Sequence, residues 1–278
     1  MNANIRCLLK ACEDLTIPYQ IMHPTKNLVL VNQQHLFTNW ATPLISHAIA
    51  RLLTDKDYTQ AIFGDVITMP KTKPYLTPQV EDIYAEHLIF KSISAIVEDI
   101  EDNFTYPLII KRNSGTHGQH VFIASNSKEA QHALQTIFNE KDKHWDFIAL
   151  VQEYIKPTAE FRLIALAGQL ELTYLKDISK AEYRDNLSPL HWQNSRSVLI
   201  KDPKQLNRFS EFISPIFSKL PLAYCGLDVI EDCTGGLYLI EINGSPGFDL
   251  FTRDNGDEAV VDLYKKILKI LTNISSHP

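Results

Sequence analysis

Residues 224–248, YCGLDVIEDCTGGLYLIEINGSPGF, constrain the fold more tightly than any other stretch of this chain. Residues 226–231 are mostly apolar, Thr234, Gly235 and Gly236 carry turn chemistry, and residues 237–242 form a second β-branched and aromatic run. The stretch therefore predicts an antiparallel hairpin. On its second strand Glu241 and Asn243 are two residues apart, which directs both side chains to one face and Ile240 and Ile242 to the other. Asp228 sits on the partner strand, where it can lie across from them. Two carboxylates and an amide oxygen, with no His or Cys beside them, suit a hard divalent ion such as Mg²⁺ or Mn²⁺. An edge hairpin with solvated acids would carry the same residues. The run Gly244-Ser245-Pro246-Gly247 then forbids regular strand and turns the chain.

The rest of the chain reads as a mixed α/β protein. Ile5, Leu8, Leu9, Cys12 and Leu15 recur at helical spacing over residues 3–15, short strands follow at 19–22 and 28–31, and a helix is marked by Leu44, Ala48, Ile49 and Leu52. A further helical turn begins at Thr54-Asp55-Lys56. These elements make a small first domain. The M-P-K-T-K-P segment then reads as an extended linker. A helix over Ile93, Ile96, Val97 and Ile100 leads to the strand P-L-I-I-K, which ends in Lys111.

The loop R-N-S-G-T-H-G-Q-H follows, then a strand over residues 121–124. Such a loop can lie over phosphates with its backbone N–H groups while the lysine meets an oxygen; a plain hairpin has the same appearance. Asn126 and Glu129 form a capping box for the next helix. Strands are expected at 147–152, 161–167 and 170–175, a polar loop at 176–194, and helices over Leu206 to Phe217 and at 258–271.

With 278 residues, 45% hydrophobic and 22% charged, the chain can hold about two domains. A net charge of -6 argues against nucleic acid or an anionic membrane as a general partner. Cys7, Cys12, Cys225 and Cys233 show no metal-site spacing and read as reduced packing residues. Charged residues interrupt the N-terminal apolar positions, so no signal-peptide core is present and a cytoplasmic location is expected.

Taken together, P-L-I-I-K, S-G-T-H-G, V-Q-E-Y-I, E-F-R, Y-R-D-N, D-V-I and E-I-N-G-S-P-G resemble, in order and spacing, the ATP-grasp superfamily. The similarity is to its carboxylate-amine ligases, which include ribosomal-protein glutamate ligases, fused glutathione synthetases and cyanophycin synthetases, and it covers residues 52–251. The resemblance implies an α+β ATP-grasp fold that holds the nucleotide between two subdomains: residues 1–70 before the grasp, 71–152 carrying the glycine loop as a lid, and 153–278 carrying the metal site. It implies that Lys56, Lys111 and the loop residues Gly115, Thr116 and Gly118 contact ATP, that the backbone of Glu153-Tyr154-Ile155 reads adenine, and that Glu160, preceding a strand, holds the ribose. Arg162, Arg184 and Asn186 match positions that meet phosphates or the reacting acyl group, and Asp228, Glu241 and Asn243 fall on metal ligands.

Where the family has a further glycine this chain has His120, expected to be exposed, and Arg112 stands where proline is common. The implied reaction is ATP-dependent amide or peptide bond formation between a carboxylate and an amine, the acceptor being an amino acid or a peptide chain end, and the protein a possible homo-oligomer. A nucleotide-binding module without ligation, or a small-metabolite kinase, would use the same grasp.

Overall fold

A computed structural model describes residues 1–80, 82–115, 119–182 and 192–272. Its strands form three antiparallel sheets. The largest has the order β10-β9-β8-β11-β12, with β8 (Ala159–Leu166), β9 (Gln169–Asp177), β10 (Arg196–Leu199), β11 (Tyr224–Glu231) and β12 (Leu237–Asn243). The second, β4-β7-β5-β6, is built from β4 (Thr72–Leu76), β5 (Leu108–Arg112), β6 (Val121–Ala124) and β7 (Ile148–Glu153). A small sheet of β1 (Tyr19–Ile21), β2 (Leu28–Val31) and β3 (His35–Thr38) completes the set.

Each large sheet is buried on one face by helices because its strands alternate. On the four-stranded sheet Leu108, Ile110, Ala149 and Val151 pack against α4 (Ile93–Asn103) and α5 (Ser127–Ile137), and their neighbours Ile109, Lys111 and Gln152 face the opposite way, into a cleft. On the five-stranded sheet Phe161, Leu163, Leu227, Val229 and Leu239 pack on Phe209, Ile213 and Ile216 of α6 (Pro203–Lys219). The first 70 residues share these cores instead of forming one. Side chains from α1 (Ala3–Asp14), β2 and β3 pack with α8 (Glu258–Thr272) over one end of the same sheet. Leu53 of α2 (His47–Thr54) and Phe63 of α3 (Lys56–Phe63) join the α6 side.

Several expectations are corrected. The M-P-K-T-K-P segment is no linker: it supplies β4, whose Pro74 is tolerated because β4 is an edge strand paired only with β7. Neither β3 nor the short helix α7 (Asp249–Asn255) was foreseen. Cys7, Cys12 and Cys225 are buried thiols, but Cys233 lies exposed in the β11–β12 turn. No helix among the described residues is long and apolar enough to cross a membrane.

The turn after β12 is fixed from a distance of more than 240 residues. Asn4, fully buried on α1, donates from Nδ2 to the Pro246 carbonyl at 2.9 Å and accepts the Phe248 N–H on Oδ1 at 3.0 Å. Asn4→Ala leaves both buried groups unsatisfied, with an expected loss of about 2–4 kcal/mol of unfolding free energy, readable by urea denaturation.

Candidate active site

The faces of the two large sheets turned away from α4, α5 and α6 border a cleft of about 1170 Å³; on the five-stranded sheet α1 and α8 cover one end of that face. The floor of the cleft is set by register. Glu241, Asp228, Arg162 and Tyr174 lie in one row across β12, β11, β8 and β9, and Ile230 and Glu160 lie in the next, where Lys176 of β9 bonds Glu160. Cross-strand partners share a face, so the rows bring acids and cations of four strands together.

A β-bulge makes the first row possible. Asp228 pairs with Glu241 while Val229 pairs with Leu239, so Ile240 is an extra residue. In a regular strand Leu239 and Glu241 would share a face. The bulge lets Leu239 enter the core while Glu241 and Asn243 turn to the cleft. Ile242 is buried as expected, but Ile240 lines the cleft, a correction to the plain two-residue period.

Asp228 accepts from Arg162 Nε at 2.6 Å and from Arg162 Nη2 at 2.9 Å, and Lys176 Nζ lies 2.8 Å from its Oδ1. Lys176 also bonds Glu160. Burial works to raise the Asp228 carboxyl, but Arg162 and Lys176 overcome it and hold the group at about 2. Burial pushes the Glu160 carboxyl up, against the charge of Lys176. Asn243 Nδ2 donates to Asp228 Oδ2 at 3.4 Å, so Asp228, Glu241 and Asn243 converge. Gly226 permits this packing: a Cβ there would lie 2.9 Å from the Pro246 side chain.

Two more lysines enter from above. Asp55 caps α3 by accepting the Tyr58 N–H at 2.9 Å, which puts Lys56 at the first helical position. Lys56 Nζ donates to the Gly115 carbonyl at 2.5 Å and lies 3.7 Å from Glu241, linking the start of the glycine loop to β12. Lys111 is buried and donates to Gln152 Oε1 at 3.1 Å. Burial, reinforced by the Lys56 charge, lowers its ammonium to about 8.

Of the other residues singled out from the sequence, Gly115, Glu153, Tyr154 and Ile155 line the cleft, and Glu153 accepts the Lys71 N–H at 2.7 Å. Thr116, Gly118, Arg184 and Asn186 lie outside the described residues. Glu160 is within β8, not ahead of it, and its carboxylate is engaged by Lys176. Lys176, expected as a candidate site residue of the polar loop 176–194, belongs instead to β9, at the end of an apolar run. His120 is not exposed. Its side chain keeps 16% exposure, its Nε2 lies 3.5 Å from Asp142, and its φ of 51° explains why glycine suits this position.

Residues 84–271 match the model of the RimK-like ATP-grasp domain. The chain belongs to that family. Among curated relatives, a probable alpha-L-glutamate ligase of Marinomonas sp. (strain MWYL1) is 27% identical over 165 residues, 59% of this chain and 50% of the relative. One from Halorhodospira halophila is 28% identical over 145 residues, 51% of this chain and 44% of the relative. The chain thus spans about half the length of the curated relatives it matches. Among solved structures, the D-alanine–D-alanine ligase of Bacillus anthracis complexed with ATP superposes with a TM-score of 0.55 at 18% identity, covering 80% of this chain and 65% of that one. D-cycloserine synthetase DcsG gives 0.57 at 13% identity, covering 81% and 74%. These structural likenesses establish the ATP-grasp fold.

Proposed function

We propose that the chain is an ATP-dependent carboxylate-amine ligase that forms an amide or peptide bond through an acyl phosphate. The observation that carries this reading is the convergence of Asp228, Glu241 and Asn243 in one cleft with Lys56, Lys111 and Arg162. A carboxylate does not condense with an amine at neutral pH, because oxide would have to leave. In the ligase reaction a carboxylate oxygen attacks the γ-phosphorus and ADP departs. The amine nitrogen then attacks the acyl carbon, the carbon–oxygen bond to phosphate breaks, inorganic phosphate leaves and the nitrogen gives up a proton.

The triphosphate and the incoming acid are both anions, and two unit charges 4 Å apart repel by roughly 4 kcal/mol at an effective dielectric of 20. Cancelling that repulsion is the main task of the cleft. Lys111 and Arg162 would neutralise phosphate oxygens, and Lys56 would hold the Gly115 carbonyl so that the glycine loop lies over the nucleotide. Residues 71–152 would act as the lid that excludes water from the acyl phosphate, and residues 153–278 as the base. Tyr154 and Ile155 would border adenine, with Glu160 on the ribose side. Thr116 and Gly118 would join the loop contacts, and Arg184 and Asn186 would steady the acyl group.

Asp228, Glu241 and Asn243 are the residues that would hold a divalent ion, through two carboxylates in register and the Asn243 amide oxygen; the 3.4 Å contact itself is made by Asn243 Nδ2, and Asp228 is also bound by Arg162 and Lys176. When bound, Mg²⁺ or Mn²⁺ would supply positive charge to the phosphates of the nucleotide. The substrates would be a small acid and an amine, or a peptide chain end, in the cytoplasm.

The test is a screen of amino acids and short peptides for ADP release, with hydroxylamine as trap and mass spectrometry of the product. ADP release that depends on an acid, with a hydroxamate of that acid, is expected. Phosphate appearing at the same rate without any acid contradicts the reading, and a stable phosphorylated product would make the protein a kinase.

A further inference from the structure

We propose that the wall of the cleft beside Gly247 is a binding site for the ammonium group of the acceptor, formed by Trp40 and Asp249. This rests on the ligase reading and names the substrate class for its second half. Trp40 lies in the segment between β3 and α2, ahead of the residues that match the family model, and leaves 41% of its surface exposed. Its ring rests on the backbone of Gly247, where a Cβ would meet Cδ1 and Nε1 at 3.2 Å. Its Nε1 donates to Asp249 Oδ2 at 3.3 Å, and Asp249 Oδ1 accepts the Ala3 N–H at 2.8 Å. Both side chains line the cleft.

Most other acids of the cleft lie near a cation; Glu153, like Asp249, is held by neutral N–H donation. Asp228 and Glu160 share Lys176, Glu241 faces Lys56, Asp177 accepts the Ser179 N–H close to Lys180 and Arg196, and Glu153 is tied to the Lys71 N–H. Among the described residues no Lys, Arg or His nitrogen lies within 4.0 Å of the Asp249 carboxylate. Arg6, the cation that feels its charge, is clamped on Asp257 at 2.8 and 3.0 Å. Asp249 therefore carries a negative charge held by two neutral N–H donors and open to the cleft, next to an aromatic face.

Lys56, Lys111, Arg162 and Lys176 attract the phosphates and repel a second cation, whereas Asp249 and the Trp40 ring attract one through charge and through the negative π face. An aliphatic primary amine is protonated at neutral pH. An amino acid or the amino end of a peptide fits this corner, and a neutral or anionic nucleophile gains nothing from it.

The probe is n-propylammonium, with n-propanol as its uncharged counterpart, each added to hydroxamate formation by the full chain with the acid selected above. The readout is the inhibition constant, which does not depend on the uninhibited rate. Propylammonium is expected to suppress hydroxamate formation where propanol does not. Asp249→Asn, which keeps an oxygen for the Ala3 N–H, is expected to raise the inhibition constant at least about tenfold. Trp40→Ala is expected to raise it several-fold and Trp40→Phe to restore it. An inhibition constant unchanged in Asp249→Asn, or equal inhibition by propanol, overturns the proposal. Absence of any hydroxamate in the unmodified protein is a different result: it removes the ligase reading, and the proposal with it.

Discussion

Asp228→Asn is expected to abolish turnover and to destabilise the fold by about 3–5 kcal/mol, whereas Glu241→Gln is expected to abolish turnover alone. The two carboxylates are register partners, but their surroundings differ. Asp228 is buried with a bidentate Arg162 and with Lys176, and neutralising it leaves two buried cations competing for Glu160. Glu241 is a quarter exposed and its contact with Lys56 is 3.7 Å long, so its loss should change stability by less than about 1 kcal/mol. Urea denaturation of both variants beside ADP release separates the effects. A fall of at least about 100-fold in turnover for Glu241→Gln, with an unchanged unfolding midpoint, is the expected pattern.

The same network sets an acid limit. The Asp228 carboxyl is held at about 2, below its ordinary 3.8. Its contribution is therefore fully present above about pH 4 and is lost as pH falls towards 2, amounting to about 2 kcal/mol.

Lys111→Met is expected to stabilise the ligand-free protein while removing nucleotide binding. Burial, with Lys56 adding repulsion, lowers the Lys111 ammonium from 10.5 to about 8. Below pH 8 the folded state carries a buried charge that the unfolded chain would hold more readily. The cost is at most about 3 kcal/mol, and it fades as pH rises from 8 to 10.5. The methionine variant escapes it, less what Gln152 loses with its donor. At pH 7 its thermal midpoint should rise, and that difference should vanish near pH 10. Nucleotide affinity runs the other way. Phosphate oxygens need the protonated lysine, so ATP binding should take up a proton above pH 8 and weaken by up to about tenfold per pH unit, readable by calorimetry in buffers of different ionisation enthalpy. A methionine variant that binds ATP as tightly as the parent would take Lys111 out of the site.

The parts of this fold that local patterning dictates were legible. The helix of Ile93 and Ile100, the capping pair Asn126 and Glu129, and the hairpin around Gly235 follow from periodicity and turn chemistry within a few residues. Glu241 and Asn243 could be placed on one face from a two-residue period, with Asp228 able to lie across from them, although the bulge at Ile240 that turns them there left no mark in the sequence. What stayed hidden depends on partners far along the chain. Asn4 looks like an ordinary helix residue until Pro246 and Phe248 come to it. Lys176 gains meaning only when β9 and β8 bring it to Glu160 and Asp228. Trp40 reads as a loop aromatic before Gly247 and Asp249 arrive beside it. β4 was obscured because prolines forbid a central strand but not an edge one.

The most direct test of ATP-driven acid activation is the fate of the carboxylate oxygen. With an acid labelled by ¹⁸O in its carboxylate, the phosphate released during amide formation is followed by ³¹P NMR, where each heavy oxygen shifts the signal. Attack by the carboxylate on the γ-phosphorus, followed by departure of phosphate from the acyl carbon, transfers one labelled oxygen to each phosphate. That transfer, lost along with turnover in Glu241→Gln, is the expected result; phosphate carrying no label would contradict it.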